Sequence, residues 1–183
     1  MAPVGGPLGG GVFVTRTLDP ATEEAVALVA CNAEVQRALG TVRGATHTEF
    51  IRSHDDGRLV FLETAARVGG ANIAEAVHFA TGINPWEEWA RIEVAHLRGE
   101  PYRLPEVRGA HAGVITCLAR DAWPDLSAYD DQEVVWRLHK EHHAGLIVCA
   151  AEAKRTEELL AGYAERFARD FLAVAPPQET GRL

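Results

Sequence analysis

The chain has 183 residues with 26 acidic against 18 basic side chains, a formal net charge of −8, and is 47% hydrophobic and 24% charged. That composition suits one soluble globular domain with a substantial core. It argues against a general nucleic-acid or anionic-membrane surface, but not against a nucleotide held by a few local cations.

Met1–Gly11 (MAPVGGPLGGG) is too rich in Gly and Pro for regular structure and reads as a flexible arm, or as a connection from a larger protein. It is not a phosphate loop, because no Lys-Ser or Lys-Thr follows the glycines. Val12–Thr15 reads as a short strand. A helix is then expected from Asp19-Pro20 to about Leu39, with Asp19 as the capping side chain, Pro20 in the first turn and Gly40 as the stop. Glu23 and Glu24 fall at its positive dipole end. Val26, Val29, Ala30, Ala33 and Ala38 supply the stripe expected to pack on a sheet.

Two strands follow, within Arg43–Ser53 and over Leu59–Thr64, both rich in β-branched and aromatic residues. Asp55-Asp56-Gly57 between them is a hairpin signal, because Gly accepts the positive φ that such turns demand. Simple alternation puts His47, Glu49 and Ile51 on one face of the first strand, and Thr48, Phe50 and Arg52 on the other. On the second strand it groups Leu59, Phe61 and Glu63 against Val60, Leu62 and Thr64. A carboxylate within so apolar a strand is costly without a partner. A divalent cation shared by Glu49 and Glu63 satisfies both.

Asn72–Thr81 reads as a helix closed by Gly82, and Asn84-Pro85 opens another with Trp86, Trp89, Ile92 and Leu97 facing inward. Glu100–Gly109 contains two prolines and reads as a loop. His111–Ala119 and Gly145–Ala150 are expected strands. Lys154–Ala173 is an amphipathic helix with Leu159, Leu160, Tyr163, Phe167 and Phe171 on its apolar stripe. Ala175–Leu183 is a tail. Residues 12–174 therefore form the domain, an α+β fold with a largely antiparallel sheet. His139 and His143 have the spacing of zinc ligands on a helix, but the run lacks the HExxH order and leads into a strand. Cys31, Cys117 and Cys149 are well separated and fit reduced thiols of a cytoplasmic protein. The absence of a long apolar run or a basic-then-apolar start argues against a membrane span or a leader.

Together, Thr46-His47-Thr48-Glu49-Phe50, the hairpin, Leu62-Glu63-Thr64-Ala65-Ala66-Arg67 and Gly69-Gly70 resemble the metal-binding core of the ATP-grasp ligases. The wording is most similar to the branch that includes L-amino-acid (dipeptide-forming) ligases. The resemblance implies an ATP-dependent carboxylate–amine ligase working through an acyl phosphate, with Mg2+ (or Mn2+) and ATP as cofactors. It makes Glu49 and Glu63 the metal ligands and Arg67 the catalytic cation that meets the transferring phosphate. Gly69, Gly70 and His47 become substrate-binding residues. Ala65 departs from the pattern, since many members place an Asn ligand there. The resemblance also implies an N-terminal half with a lysine-bearing lid, whereas Lys140 and Lys154 are the only lysines here. Enzyme activity is thus expected on complementation by such a half or by a homodimer partner; the alternative is a non-catalytic remnant or interaction subunit.

Overall fold

Ten elements follow in chain order: β1 (Phe13–Arg16), α1 (Glu23–Ala38), β2 (His47–Arg52), β3 (Leu59–Ala65), α2 (Ile73–Thr81), α3 (Pro85–Arg98), β4 (His111–Leu118), β5 (Val134–Arg137), β6 (His143–Ala150) and α4 (Ala153–Asp170). The computed structural model describes residues 11–173. Positions 1–10 of the expected arm and the expected tail at 175–183 lie outside them. The chain divides into two units, one built from the segments up to Thr17 and from Ala110 onward, the other from Leu18–Gly109.

The first unit is an antiparallel sheet of order β1-β4-β6-β5 with α4 packed on it. β4 and β6 pair along their whole length, from His111 opposite Ala150 to Leu118 opposite His143. Every second residue, including Ile115, Cys117, Leu146 and Val148, joins a buried cluster with Leu159, Leu160, Tyr163, Phe167 and Phe171. The expected apolar stripe of α4 is therefore the observed one. Gly113 lets the helix come this close, because a Cβ there would collide with Leu160. Tyr129 enters the same cluster, and its hydroxyl donates to Asp170 Oδ2 at 2.9 Å. The Tyr163 hydroxyl donates to Asp131.

β5 is an addition to the expected elements. It is only four residues long and its register shifts between Val134 and Trp136, so neither its length nor its alternation marks it as a strand. The histidine run turns the chain from β5 into β6, with Lys140 bridged to His143 and His142 at φ +54°. The helical face that would align His139 with His143 is thus absent. His139 instead stacks on Trp123, with ring centroids 4.9 Å apart.

The second unit holds α1, the β2–β3 hairpin, α2 and α3. α1 begins three residues later than expected. Thr22 is the cap, accepting from Ala25 N at 3.3 Å, while the Asp19 carboxylate accepts from Ala21 N and shapes the turn before it. Its inward face also differs from the expected stripe. Val26 and Val29 are 59% and 70% exposed, and the less exposed positions are Ala25, Leu28, Cys31, Asn32, Val35 and Gln36. These follow helical spacing but include two polar residues, which a hydrophobic pattern passes over.

The hairpin turn forms as expected, with Gly57 at φ +70° and its N–H donating to Ser53 O at 3.0 Å. α2 closes at Gly82, and α3 starts on an Asn84 side chain that accepts from Trp86 N and Glu87 N. Two of the expected inward residues of α3 face outward: Trp86 and Leu97 are exposed, while Glu88 is buried. Its carboxylate is satisfied by the Tyr102 hydroxyl at 2.7 Å and by Arg91 at 3.3 Å, so burial costs little that is not returned.

Candidate functional site

Glu49 and Glu63 are direct partners across the β2–β3 pair. Residues so placed share a face, with Cβ atoms roughly 4.5–5.5 Å apart in antiparallel pairs. The two carboxylates that the sequence set on separate strands therefore meet on one side of the hairpin. His47 pairs with Ala65, one alternation step along that face. Its Nδ1 lies 3.7 Å from Glu49 Oε1. Ala65 thus presents a methyl group beside the carboxylates, where an Asn would bring an oxygen.

The pairing is not regular beyond this point. A shift between Glu49 and Phe50 sets Phe50 opposite Phe61 rather than opposite Leu62. Simple alternation groups Phe61 with Glu63; the bulge moves Phe61 to the other face, where its ring meets Phe50 edge-on at 6.0 Å. A bulge next to a site re-aims side chains, and here it leaves the acidic pair at the end of the regular ladder.

Arg67 and the two glycines follow β3 directly. Arg67 N donates to Ala65 O at 2.9 Å, folding the chain back as the strand ends. Its Nη1 donates to Val68 O at 3.1 Å and lies 3.7 Å from where a Cβ on Gly70 would stand. Gly69 is tighter: a Cβ there would be 3.0 Å from His47 Cδ2 and 3.3 Å from Ile73 Cγ2. The imidazole of His47 therefore packs on the Gly69 backbone while its other edge faces Glu49. Among the described residues neither Glu63 nor Arg67 enters an ion pair. Both are exposed. Among those residues there is also no cluster of three or more His, Cys, Asp or Glu able to hold a metal.

Behind the acidic face lies a polar contact that the motif does not reveal. Thr48 and Thr64 are partners one step from the Glu pair, and their hydroxyls are 2.8 Å apart. Gln36 of α1 reaches both, with Nε2 at 3.0 Å from Thr48 Oγ1 and 3.3 Å from Thr64 Oγ1. A cavity of about 350 Å³ opens beside it, lined by Leu28, Val29 and Asn32 of α1 and by residues 46–48 and Phe50.

Comparison with solved structures identifies the architecture. An L-amino acid ligase from Bacillus licheniformis superposes with a TM-score of 0.62 at 17% identity, over 90% of this chain and 44% of that one. A phosphoribosylglycinamide synthetase from Anaerococcus prevotii gives 0.54 at 12% identity, over 88% of this chain and 44% of the other. Both are ATP-grasp enzymes. The chain shares its fold with part of them. It spans less than half the length of either. No family model matches the sequence, and no curated protein does. The antiparallel sheets and helices of this chain thus form a fold shared with part of those enzymes, in agreement with the α+β class expected from the sequence. Among the described residues no helix is long and apolar enough to cross a membrane.

Proposed function

We propose that this chain is the metal-carboxylate half of an ATP-dependent carboxylate–amine ligase. The observation that carries the reading is the register of the hairpin, which pairs Glu49 with Glu63. Two carboxylates on one face offer hard oxygen donors, the type that Mg2+ or Mn2+ prefers. With no third protein ligand among the described residues and a methyl group at Ala65, the donor set suits a cation that takes its remaining ligands from nucleotide phosphates. When bound, such a cation neutralises negative charge on the phosphates.

The chain's own residues have separate tasks in this reading. Glu49 and Glu63 orient the metal–nucleotide. Arg67 places a guanidinium, free of ion pairs among the described residues, where it meets the phosphate moving to the substrate carboxylate. Gly69 and Gly70 let backbone approach the substrate closely. An amine then attacks the acyl phosphate, releasing phosphate and leaving an amide. The rest of the nucleotide clamp comes from a complementary N-terminal half or from a second copy. A non-catalytic interaction subunit is the second reading, and the lysine count favours it: Lys140 and Lys154 both lie outside the Leu18–Gly109 unit.

Fluorescent-nucleotide titration with and without Mg2+ tests the proposal. Wild-type chain should bind nucleotide in a Mg2+-dependent way, and Mg2+ alone should show little saturable binding. Glu63→Gln should abolish the Mg2+-dependent part while helix content stays unchanged. Equal binding by wild type and Glu63→Gln would remove Glu63 from the site.

A further inference from the structure

The acidic pair depends on a register that the hairpin alone specifies weakly. A slip of one residue turns every side chain of a strand to the opposite face. Here the ladder already shifts between Glu49 and Phe50, so an alternative pairing lies next to the carboxylates. Among the described residues β2 and β3 form a sheet of only two strands, with no third strand to hold either in place. Two-stranded pairs are marginal by themselves.

What opposes the slip comes from α1. Gln36 Nε2 has two protons and three acceptors in reach: Asn32 Oδ1 at 3.2 Å, Thr48 Oγ1 at 3.0 Å and Thr64 Oγ1 at 3.3 Å. Thr41 Oγ1 donates to Gln36 Oε1 at 2.8 Å, fixing the plane of the amide. The Thr48–Thr64 contact closes the ring on the sheet side. One amide thus grips both strands at partner positions adjacent to Glu49 and Glu63. A slip by one residue would carry one threonine off this face, so that the amide loses one of its acceptors and the remaining hydroxyl loses its cross-strand partner. Unmade hydrogen bonds of partly buried groups are the costly kind.

We infer that Gln36 is a positioning residue that fixes the register in which Glu49 and Glu63 face each other. This rests on the metal-carboxylate reading for its purpose, but not for its geometry. The side chain touches neither nucleotide nor metal in that reading. It acts through Thr48 and Thr64.

The test uses the full chain and reads register and binding separately. Cross-strand nuclear Overhauser contacts between residues 48 and 64 and between 49 and 63 report the register. Mn2+-ATP broadening of the Glu49 and Glu63 resonances reports the site. Gln36→Met keeps the side-chain length and removes the amide, and a Thr48→Val/Thr64→Val double variant keeps β-branching and removes the hydroxyls. Both should retain helix content, show loss or doubling of the cross-strand contacts, and need about tenfold more Mn2+-ATP for equal broadening. Unchanged contacts in both variants would overturn the inference. Register changes in the variants, together with no broadening of the wild-type carboxylates, would support the clamp and overturn the metal reading instead.

Discussion

Gly69 is constrained by its neighbours and not by its own backbone. Its φ is not in the left-handed region, yet a Cβ there would stand 3.0 Å from His47 and 3.3 Å from Ile73. Gly69→Ala therefore has to push the imidazole away, and His47 Nδ1 is 3.7 Å from Glu49. Overpacking of this kind costs roughly 1–3 kcal/mol. The cost should fall mostly on the His47 contact, so His47→Ala in the same chain should recover most of it. A double-mutant cycle by urea unfolding checks this. Simple additivity of the two substitutions would show that the imidazole is not what Gly69 accommodates. The same contact assigns His47 a packing task that its place in the motif did not reveal. Its expected role toward substrate remains part of the proposed function.

At the scale of elements, the legible parts of the chain were those with a strong local signal. The Asp-Asp-Gly turn, the Asn84-Pro85 start of α3 and the aromatic stripe of α4 each follow from side chains acting within a few residues. That Glu49 and Glu63 lie on neighbouring strands was legible from the hairpin signal; their direct pairing was not, since the register beside the turn, with Phe50 opposite Phe61, would continue to Glu49 opposite Leu62. That pairing comes from the bulge, which no local side-chain pattern marks and which also turns Phe61 towards Phe50. The inward face of α1 was misread for a related reason: Gln36 bonds to Thr48 and Thr64 of the hairpin while Asn32 accepts from Gln36, and apolar periodicity is blind to that. The α4 layer yields a prediction of its own. Burial, and then the hydrogen bond to Asp131, push the Tyr163 phenol up to about 12, and the same causes with Asp170 raise Tyr129. Burial pushes the Cys117 thiol up to about 11. Unfolded, these groups ionise near their ordinary 10.0 and 9.0. Above those values the unfolded chain releases protons that the folded chain retains, so stability falls as pH rises. Below about pH 9 the contribution is complete. Tyr102, partly buried and bonded to Glu88, is also held up to about 12, so all three tyrosines of the chain resist ionisation. Tyrosinate absorbance should therefore appear together with the loss of ellipticity in an alkaline titration. Phenols that ionise near 10 in a chain that stays folded would contradict the hydrogen bonding described.

For the whole molecule, the decisive quantity is how much of a nucleotide these residues can hold. The chain covers 44% of the length of the two ATP-grasp structures whose fold it shares. Its proposed site consists of Glu49, Glu63, Arg67 and the Gly69-Gly70 backbone, all directed at phosphate and metal. Neither lysine of the chain belongs to the Leu18–Gly109 unit that contains them. A nucleotide held at its phosphate end alone keeps most of its rotational freedom. Good positioning is worth roughly 7–11 kcal/mol of a reaction barrier, and most of that is forfeited when one end is unheld. The chain by itself should therefore bind Mg2+-nucleotide weakly and turn it over negligibly. Phosphate release is measured with ATP, Mg2+ and a panel of amino acids, first with this chain and then with an added ATP-grasp N-terminal half. Release that appears only on mixing, and that Arg67→Ala or Glu63→Gln removes, identifies the chain as a catalytic half. Robust release by the chain alone would refute the need for a separate half. In that event, a concentration dependence of second order would trace the clamp to a homodimer, and a first-order dependence to residues within one copy. No release on mixing, despite Mg2+-dependent binding of nucleotide, would favour the interaction subunit over the ligase.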